Sequence, residues 1–265
     1  MSASTYLLDN AASEAAARFA ALSALYDPVT ARHVEALGLP PGGACWEVGA
    51  GGPSVPAMLA RLVGPRGRVL ATDLDVGWID DVPPGVEVRV HDVAADDPPG
   101  KEFDLVHARL VLTHVPERDE ALRRMIGALR PGGWVLVEDY DVESQPVPCL
   151  EAEERGDVDG QRANRLRAGF IDLLARRGVH LRYGRALPRV MGEAGLVDVG
   201  ADATFPLADP AVARLEAANV HQVGAGLVAT GWATEDDLAA HLDALGSGRL
   251  HMSNPPLVSA WGRKP

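Results

Sequence analysis

The chain has 265 residues, of which 47% are hydrophobic and 23% charged, a composition typical of one large soluble domain. Its net charge of −12 argues against nucleic acid or an anionic membrane as a partner, because both attract basic surfaces. The sequence contains no run of about 18 apolar residues, so it predicts no transmembrane helix. The first residues lack a secretory signal pattern. We therefore expect a cytoplasmic protein, monomeric or homodimeric, with no membrane partner.

The first predicted elements are two helices within residues 5–37. Ala11 to Leu25 places apolar side chains on one helical face. Asp27-Pro28 is typical of the start of a second helix, which Gly38 would end. Because both helices precede the first predicted strand, we expect them to pack beside or over a ligand cleft.

A strand, a glycine-rich turn and a helix follow in immediate succession. The apolar run that ends at Val48 leads into Gly49-Ala50-Gly51-Gly52, which is the pattern of the first unit of a Rossmann-like nucleotide site. A dinucleotide site would have glycine in place of Ser54, and Pro53 removes an N–H group that would hold a pyrophosphate. The acidic Glu47 instead suits a ligand that carries an ammonium or sulfonium charge.

Two further strands are each followed by an acid. Arg68 to Asp73 predicts a buried strand whose terminal carboxylate comes about 20 residues after the glycines, the interval at which an acid binds ribose hydroxyls. Asp75 is the competing candidate, although it lies beyond the strand end. Val86 to Val90 alternates in the manner of a strand and leads to Asp92.

The second half of the chain continues the alternation of strands and helices. The predicted strands are a fourth that begins at Phe103, a fifth that ends at Glu138, a sixth over Val197–Phe205 and a last over Leu257–Gly262. The predicted helices between them are Glu117–Leu129, Glu151–Arg177 and Gly184–Gly195. Two further helices are predicted over 209–246, broken near Gly224, Gly226 and Gly231. Thr234 is the expected N-cap of the last helix.

The acids and glycines, taken in order, resemble a known family. Glu47 with its glycines, Asp73, Asp92 and the segment Leu129-Arg130-Pro131-Gly132-Gly133 are similar to the class I S-adenosylmethionine-dependent methyltransferases over residues 44–140. The chain departs from the family pattern at Pro53, where a third glycine is usual. The resemblance implies an α/β fold, a seven-stranded, mostly parallel, doubly wound sheet with helical cap insertions, and a ligand at the carboxyl ends of the strands.

The resemblance also implies a domain organisation. Residues 1–265 would form a single methyltransferase domain. Its expected parts are N-terminal helices (1–40), a cofactor-binding core (41–141), a helical insertion or lid (142–182) and a C-terminal half (183–265) with a second helical insertion at 207–250.

The cofactor implied by the resemblance is S-adenosyl-L-methionine, with S-adenosyl-L-homocysteine as product. In this pattern Asp73 binds the ribose and Asp92 faces the adenine amino group, with a solvated loop carboxylate as the alternative for Asp92. Arg109 would pair with the carboxylate of the cofactor or form a surface salt bridge. The full set of expected cofactor-binding residues is Glu47, Gly49, Ala50, Gly51, Asp73, Leu74, Asp92, Val93, Ala108 and Arg109.

The sequence contains no convincing catalytic constellation. Methyl transfer is an in-line displacement that positioning can accelerate, and a base is needed only when the nucleophile must lose a proton. The candidate bases are His107, Asp139 and Tyr140, each with cofactor contact or a structural role as the alternative. No metal site is expected, because no His/Cys/Asp cluster has ligand spacing.

The acceptor pocket is expected in the segments outside the core. Its candidate residues are Tyr6, His180, His221 and Trp232, each with ordinary packing as the alternative. Together these segments predict a small, partly apolar acceptor, with natural-product or specialised metabolism as its context. The alternatives are an NAD(P)-dependent Rossmann oxidoreductase, which Ser54 disfavours, and a catalytically inactive cofactor-binding regulatory protein.

Overall fold

The computed structural model describes residues 7–8, 15–144, 149 and 156–265, so Tyr6 lies outside the described residues. The chain divides into two compact units. The sheet unit contains Tyr26–Tyr140, Tyr183–Thr204 and Leu257–Pro265, and the helical unit contains Met1–Leu25, Asp141–Arg182 and Phe205–Pro256.

The sheet unit is built on seven strands. They are β1 (Ala44–Val48), β2 (Arg68–Asp73), β3 (Val86–Val90), β4 (Phe103–Arg109), β5 (Leu129–Tyr140), β6 (Val197–Thr204) and β7 (Leu257–Arg263). Their spatial order is β3-β2-β1-β4-β5-β7-β6, and β7 runs antiparallel to both of its neighbours while the other pairs are parallel. The predicted seven-stranded, mostly parallel sheet is confirmed.

Seven α-helices lie within the described residues. They are α1 (Ala15–Leu37), α2 (Ser54–Val63), α3 (Arg118–Ala128), α4 (Val158–Arg176), α5 (Tyr183–Glu193), α6 (Pro210–Ala229) and α7 (Glu235–Gly246). Short 3₁₀ turns follow β4 (Leu112–His114) and β5 (Val142–Ser144). No helix within the described residues combines the length and the apolarity that a membrane crossing requires.

The core of the sheet unit lies on both faces of the sheet. On one face Trp46 packs in a cluster with Leu122 of α3 and Leu187 of α5. On the other face Cys45 packs in a cluster with Val34 of α1 and Leu59 of α2. Because neighbouring residues of a strand point to opposite faces, the two clusters use alternate positions of β1.

Helix α1 continues through Pro28, so the predicted break at Asp27-Pro28 is wrong. A proline inside a helix removes one backbone hydrogen bond. Tyr26 and Thr30, on either side of the proline, are both fully buried, and this tertiary packing holds the helix together. The Asp27 carboxylate does not start a second helix; its Oδ1 accepts a hydrogen bond of 2.8 Å from Arg109 Nη2.

The helical unit packs α4, α6 and α7 around an apolar cluster that includes Leu166, Val223 and Leu238. Helix α6 runs unbroken through Gly224 and Gly226, so a break at those glycines is wrong, whereas Gly231 does follow the end of the helix. A Cβ atom at Gly224 would lie 2.9 Å from Leu238 Cδ1, so this glycine serves close helix packing.

The predicted N-cap of α7 is confirmed. Thr234 Oγ1 accepts from the Asp237 N–H at 3.1 Å, and Asp237 Oδ2 accepts from the Thr234 N–H at 3.0 Å. This reciprocal pair is a capping box, which satisfies two backbone donors at the start of the helix.

Candidate functional site

The turn after β1 depends on its first two glycines. Gly49 and Gly51 have φ angles of +63° and +64°, a conformation that glycine adopts without steric cost. A Cβ atom at Gly49 would also clash with Val111 Cγ2. Pro53, which replaces the usual third glycine, has a φ of −81°, so that position makes no demand for glycine.

Backbone hydrogen bonds fix this turn against the end of β2. The Ala50 N–H donates to the Thr72 carbonyl at 3.0 Å, and the Gly51 N–H donates to Asp73 Oδ2 at 2.8 Å. Asp73 therefore shapes the turn as well as standing at the strand end.

The Asp73 carboxylate is preorganised for further hydrogen bonds. Its Oδ1 accepts from the Asp75 N–H at 3.1 Å. Burial raises the pKa of Asp73, and the N–H groups of Asp75 and Gly51 oppose that rise. A carboxylate has about four acceptor positions, so acceptor capacity remains for ligand hydroxyls beside the backbone N–H groups of Gly51, Leu74 and Asp75. The adjacent Leu74 side chain is 52% exposed and offers an apolar surface beside them.

Asp92 lies at the neighbouring strand end, because Asp73 and Val90 are register partners on β2 and β3. Asp92 Oδ1 accepts from the Ala94 N–H at 2.8 Å, which fixes the direction of the carboxylate. The next residue, Val93, is buried. The structure thus brings the candidate ribose acid and the candidate adenine acid to one edge of the sheet.

Glu47 lies under the glycine turn, and its carboxylate contacts a histidine. Glu47 Oε2 is 2.5 Å from His107 Nδ1, and His107 Nε2 is 3.3 Å from Glu138 Oε2. All three side chains are buried. Burial lowers the pKa of His107, but the two carboxylates outweigh it and raise the pKa to about 9. His107 therefore carries a proton at neutral pH and is enclosed, which does not suit the candidate role of a general base.

Arg109 joins β4 to α1. Its Nη2 donates to Asp27 Oδ1 at 2.8 Å and its Nη1 donates to Thr30 Oγ1 at 3.0 Å. Arg109 thus forms the salt bridge that was one expectation, but its side chain is only 10% exposed, so the pair is largely buried and not on the surface. The preceding Ala108 is fully buried between β1 and β5.

The other two candidate bases end β5. Asp139 is fully buried, its Oδ2 accepts from the Thr113 N–H at 3.3 Å, and burial raises its pKa to about 8. It is therefore mostly protonated at neutral pH. The Tyr140 hydroxyl donates to the Tyr26 hydroxyl at 3.1 Å.

The acceptor-pocket candidates differ in their surroundings within the helical unit. Trp232 packs against Gly169, and its Nε1 donates to Asp172 Oδ2 at 3.0 Å, which indicates a packing role. His180 is half-buried in the segment that follows α4. His221 is exposed on α6 and lines a surface hollow.

Sequence reasoning missed the side chains that surround His107. Glu138 accepts hydrogen bonds from Thr30 and, at 2.7 Å, from Ser259 Oγ. His33 Nδ1 lies 3.4 Å from Glu138 Oε1. These residues could have been found because they are ionisable residues inside otherwise apolar strands. A buried charge needs a partner, so such residues are expected to contact one another.

Replacing Gly49 by alanine should weaken cofactor binding and lower the melting temperature. The positive φ alone costs of order 1 kcal/mol or more, and the new Cβ would also meet Val111. Gly64→Ala is the matched control, since Gly64 has a φ of +72° but no atom within 4 Å of the methyl group that alanine would add. Calorimetry with S-adenosylhomocysteine should show a larger loss for Gly49→Ala; equal affinities for the two variants would contradict the assignment of this turn.

Comparison with known proteins places this arrangement in a family. Residues 24–200 match the family described as methyltransferase domain, which is well over half of the chain. The methyltransferase str2 of Strobilurus tenacellus is 36% identical over 96 residues, covering 36% of this chain and 34% of that protein. The ubiquinone/menaquinone biosynthesis C-methyltransferase UbiE of Vibrio vulnificus (strain YJ016) is 32% identical over 123 residues, covering 43% of this chain and 46% of that protein. The chain thus matches less than half the length of these relatives.

Solved structures show the same fold. A protein of Anabaena variabilis assigned as a methyltransferase from an antibiotic biosynthesis pathway superposes with a TM-score of 0.60 at 14% identity, over 90% of this chain and 98% of that one. Phosphoethanolamine N-methyltransferase 2 of Haemonchus contortus, in complex with S-adenosyl-L-methionine, superposes with a TM-score of 0.52 at 14% identity, over 94% of this chain and 52% of that one. The family match and the seven-stranded fold agree, and the chain belongs to the class I S-adenosylmethionine-dependent methyltransferases.

Proposed function

We propose that this methyltransferase transfers the methyl group of S-adenosylmethionine to a small, partly apolar molecule of specialised metabolism. The cofactor is held in the sheet unit by the strand ends described above. The turn of Gly49, Ala50 and Gly51 approaches the amino-acid portion of the cofactor. Asp73 accepts hydrogen bonds from the ribose hydroxyls, and Leu74 packs on the adenine. The remaining residues of the proposed cofactor site, at the ends of β3 and β4, are Asp92, Val93, Ala108 and Arg109. Glu47 lies buried below the turn, and its carboxylate contacts His107.

The observation that carries the acceptor assignment is a hollow within the helical unit. It has a volume of about 480 Å³ and is lined by Ala17, Ala20, Ala21, Arg214, Ala217, Ala218 and His221. A volume of a few hundred Å³ with apolar walls and few polar groups is typical of small-molecule sites. Alanine side chains make a smooth wall, while Arg214 and His221 supply the polar groups that would orient the acceptor.

The chemistry requires little from the protein beyond positioning. The nucleophile attacks the methyl carbon in line with the departing sulfur, and holding the two molecules in that geometry supplies much of the acceleration. The candidates His107 and Asp139 are enclosed and hold protons at neutral pH. This supports an acceptor that needs no strong base from the sheet unit.

The names of related proteins agree with a small acceptor. UbiE is named for C-methylation in quinone biosynthesis, and the Anabaena protein for an antibiotic pathway. We extend from them only the size class of the acceptor and the metabolic context. The proposal includes no metal, and within the described residues no group of three or more His, Cys, Asp or Glu side chains is arranged to hold a metal ion.

The test is a substitution that fills the hollow. Ala217→Phe places a ring among the lining residues, whereas Ala225→Phe lies on an exposed position of the same helix and is the control. With radiolabelled S-adenosylmethionine and a library of small aromatic and alicyclic compounds, we expect label in the small-molecule fraction. Ala217→Phe should raise the KM for the compound found at least about tenfold and leave S-adenosylhomocysteine affinity unchanged. Label only in protein or nucleic acid would refute the proposed acceptor class.

A further inference from the structure

Carboxylates and imidazoles alternate in a row across the sheet unit. The row consists of Glu47, His107, Glu138, His33 and Asp202, and each imidazole lies between two carboxylates. His33 Nδ1 is 3.4 Å from Glu138 Oε1, and His33 Nε2 is 3.0 Å from Asp202 Oδ1. Only Asp202 is substantially exposed, with 39% of its side chain accessible. The row therefore begins at the surface and ends beneath the glycine turn.

Strand register explains why these side chains share one face of the sheet. Glu47 and His107 are direct partners on β1 and β4. Glu138 is the partner of Ser259 on β7, which is in turn the partner of Asp202 on β6. Side chains that are paired across neighbouring strands point to the same side.

Helix α1 closes the row from above. Thr30 and His33 are three residues apart, so they lie on the same face of the helix. Thr30 Oγ1 donates to Glu138 and accepts from Arg109 Nη1 at 3.0 Å. Both Thr30 and His33 are buried. The helix is thus fastened to the sheet through the same carboxylate that contacts His107.

The carboxylates around His107 favour its cationic form; burial raises the pKa of Glu47, and contact with His107 opposes that rise. Glu47 of β1 and Glu138 of β5 contact it directly. The other ionisable groups of the network are Arg109 of β4, Asp27, Arg32 and His33 of α1, and Asp202 of β6. A neutral His107 would leave two buried carboxylates on either side of it without their shared cation, and uncompensated buried charge is costly.

Both flanks of the glycine turn are connected to this network. Before the turn, the Glu47 carbonyl accepts from Thr72 Oγ1 at 3.2 Å, so the residue is held by its backbone as well as by His107. After the turn, Ser54 Oγ donates to Asp27 Oδ1 at 3.5 Å, and Asp27 is the ion-pair partner of Arg109. A displacement of Glu47 or Asp27 would therefore change the shape of the turn.

We propose that protonated His107 is a positioning residue that holds Glu47, and through it the turn from Gly49 to Gly51, in the shape that binds the cofactor. Loss of the His107 proton then weakens cofactor binding. The inference rests on the cofactor-binding residues proposed above, and it adds that their affinity depends on a proton that the ligand never touches.

The test compares wild-type protein with His107→Gln by calorimetry between pH 7 and pH 10. Wild-type affinity should fall at least about tenfold as the pH rises through about 9. His107→Gln should bind at least about tenfold more weakly at pH 7.5 and lose no affinity through deprotonation of the protein. S-adenosylhomocysteine has an amino group that titrates in this range, so 5′-methylthioadenosine, which lacks it, is the second probe. Its ribose still reports on the turn, because the Gly51 N–H holds the Asp73 carboxylate at 2.8 Å.

His241→Gln is the matched control, because His241 is also fully buried but belongs to the helical unit. It should lower stability and leave both affinities and their pH profiles unchanged. Imidazole nitrogen NMR of the wild-type chain gives an independent reading and should show His107 protonated at both nitrogens at pH 7.5.

A neutral His107 at pH 7.5, or a 5′-methylthioadenosine affinity that stays flat up to pH 10, would overturn the inference. So would wild-type affinity in His107→Gln with only reduced stability, since that is the result of a purely structural role. A wild-type chain that binds neither probe at any pH would refute the proposed cofactor site itself, which is a distinguishable outcome.

Discussion

Asp73→Ala is expected to weaken S-adenosylhomocysteine binding at least about tenfold, measured by calorimetry at pH 7.5. The change removes the acceptor for two ribose hydroxyls, and each hydrogen bond to a charged group contributes about 1.5–3 kcal/mol. It also releases the Gly51 N–H, which Asp73 Oδ2 holds at 2.8 Å. The loss therefore combines a direct contact and the shape of the turn.

Two variants separate these contributions. Asp73→Asn keeps one carbonyl acceptor and should recover part of the affinity. Asp75→Ala removes an exposed carboxylate two residues later, whose Oδ1 accepts from the Gly77 N–H at 2.9 Å, and should bind as wild type. A loss with Asp75→Ala and none with Asp73→Ala would transfer the ribose role to Asp75. Thermal melting should show all three variants folded.

The sheet and its ligand edge were predictable because their signals are local. Each parallel strand is a short apolar run, and each run is followed by glycine or an acid, as at Gly49, Asp73 and Asp92. The carboxyl ends of parallel strands meet at one edge, so these residues come together without any knowledge of long-range packing. The cap of α7 at Thr234 is equally local.

The partner of Glu47 was not predictable, because His107 is 60 residues away and the pairing depends on strand order. β4 lies beside β1 only through a crossover that the apolar pattern does not specify. A buried glutamate in β1 could be recognised as needing a cation. Only the register of the sheet shows that His107 is the cation that pairs with Glu47, and that the same histidine also contacts Glu138.

The errors about helices have the same origin. Pro28 and Gly224 are helix breakers by intrinsic propensity, yet α1 and α6 continue through them. At Pro28 the buried Tyr26 and Thr30 hold the helix, and at Gly224 the absence of a side chain admits Leu238. Tertiary packing outweighed a local preference of about 3 kcal/mol at Pro28 and about 1 kcal/mol at Gly224.

Glu138→Ala should destabilise the protein by about 3–5 kcal/mol, the range measured when one member of a buried ion pair is removed. Glu138 is fully buried and is bound by Thr30, His107 and Ser259, so its loss leaves a buried cation and two hydroxyls without their acceptor. Burial raises the pKa of Glu138, but the hydrogen bonds from His107 and His33 outweigh it and hold the pKa well below its usual range.

These pKa shifts give the stability of the wild-type protein a defined pH dependence. The contribution of Glu138, whose pKa is depressed on folding, is present at neutral pH and is lost on acidification. The contribution of His107, whose pKa is raised to about 9, is fully present below its unfolded value and is lost as the pH rises through about 9. Both contributions are present at neutral pH, whereas the raised pKa of Asp139 lowers stability as the pH rises towards about 8.

Urea unfolding from about pH 2 to pH 10 tests both statements, because the Glu138 contribution is lost only below its unfolded pKa of about 4.5. Glu193→Ala is the matched control, because Glu193 pairs with Arg189 on the exposed face of α5, with 63% of its side chain accessible, and an exposed pair contributes about 0–1 kcal/mol. Glu138→Ala should lose most of the alkaline fall in stability, since His107 then lies between fewer carboxylates. A Glu138→Ala variant as stable as Glu193→Ala would show that the buried row is energetically neutral.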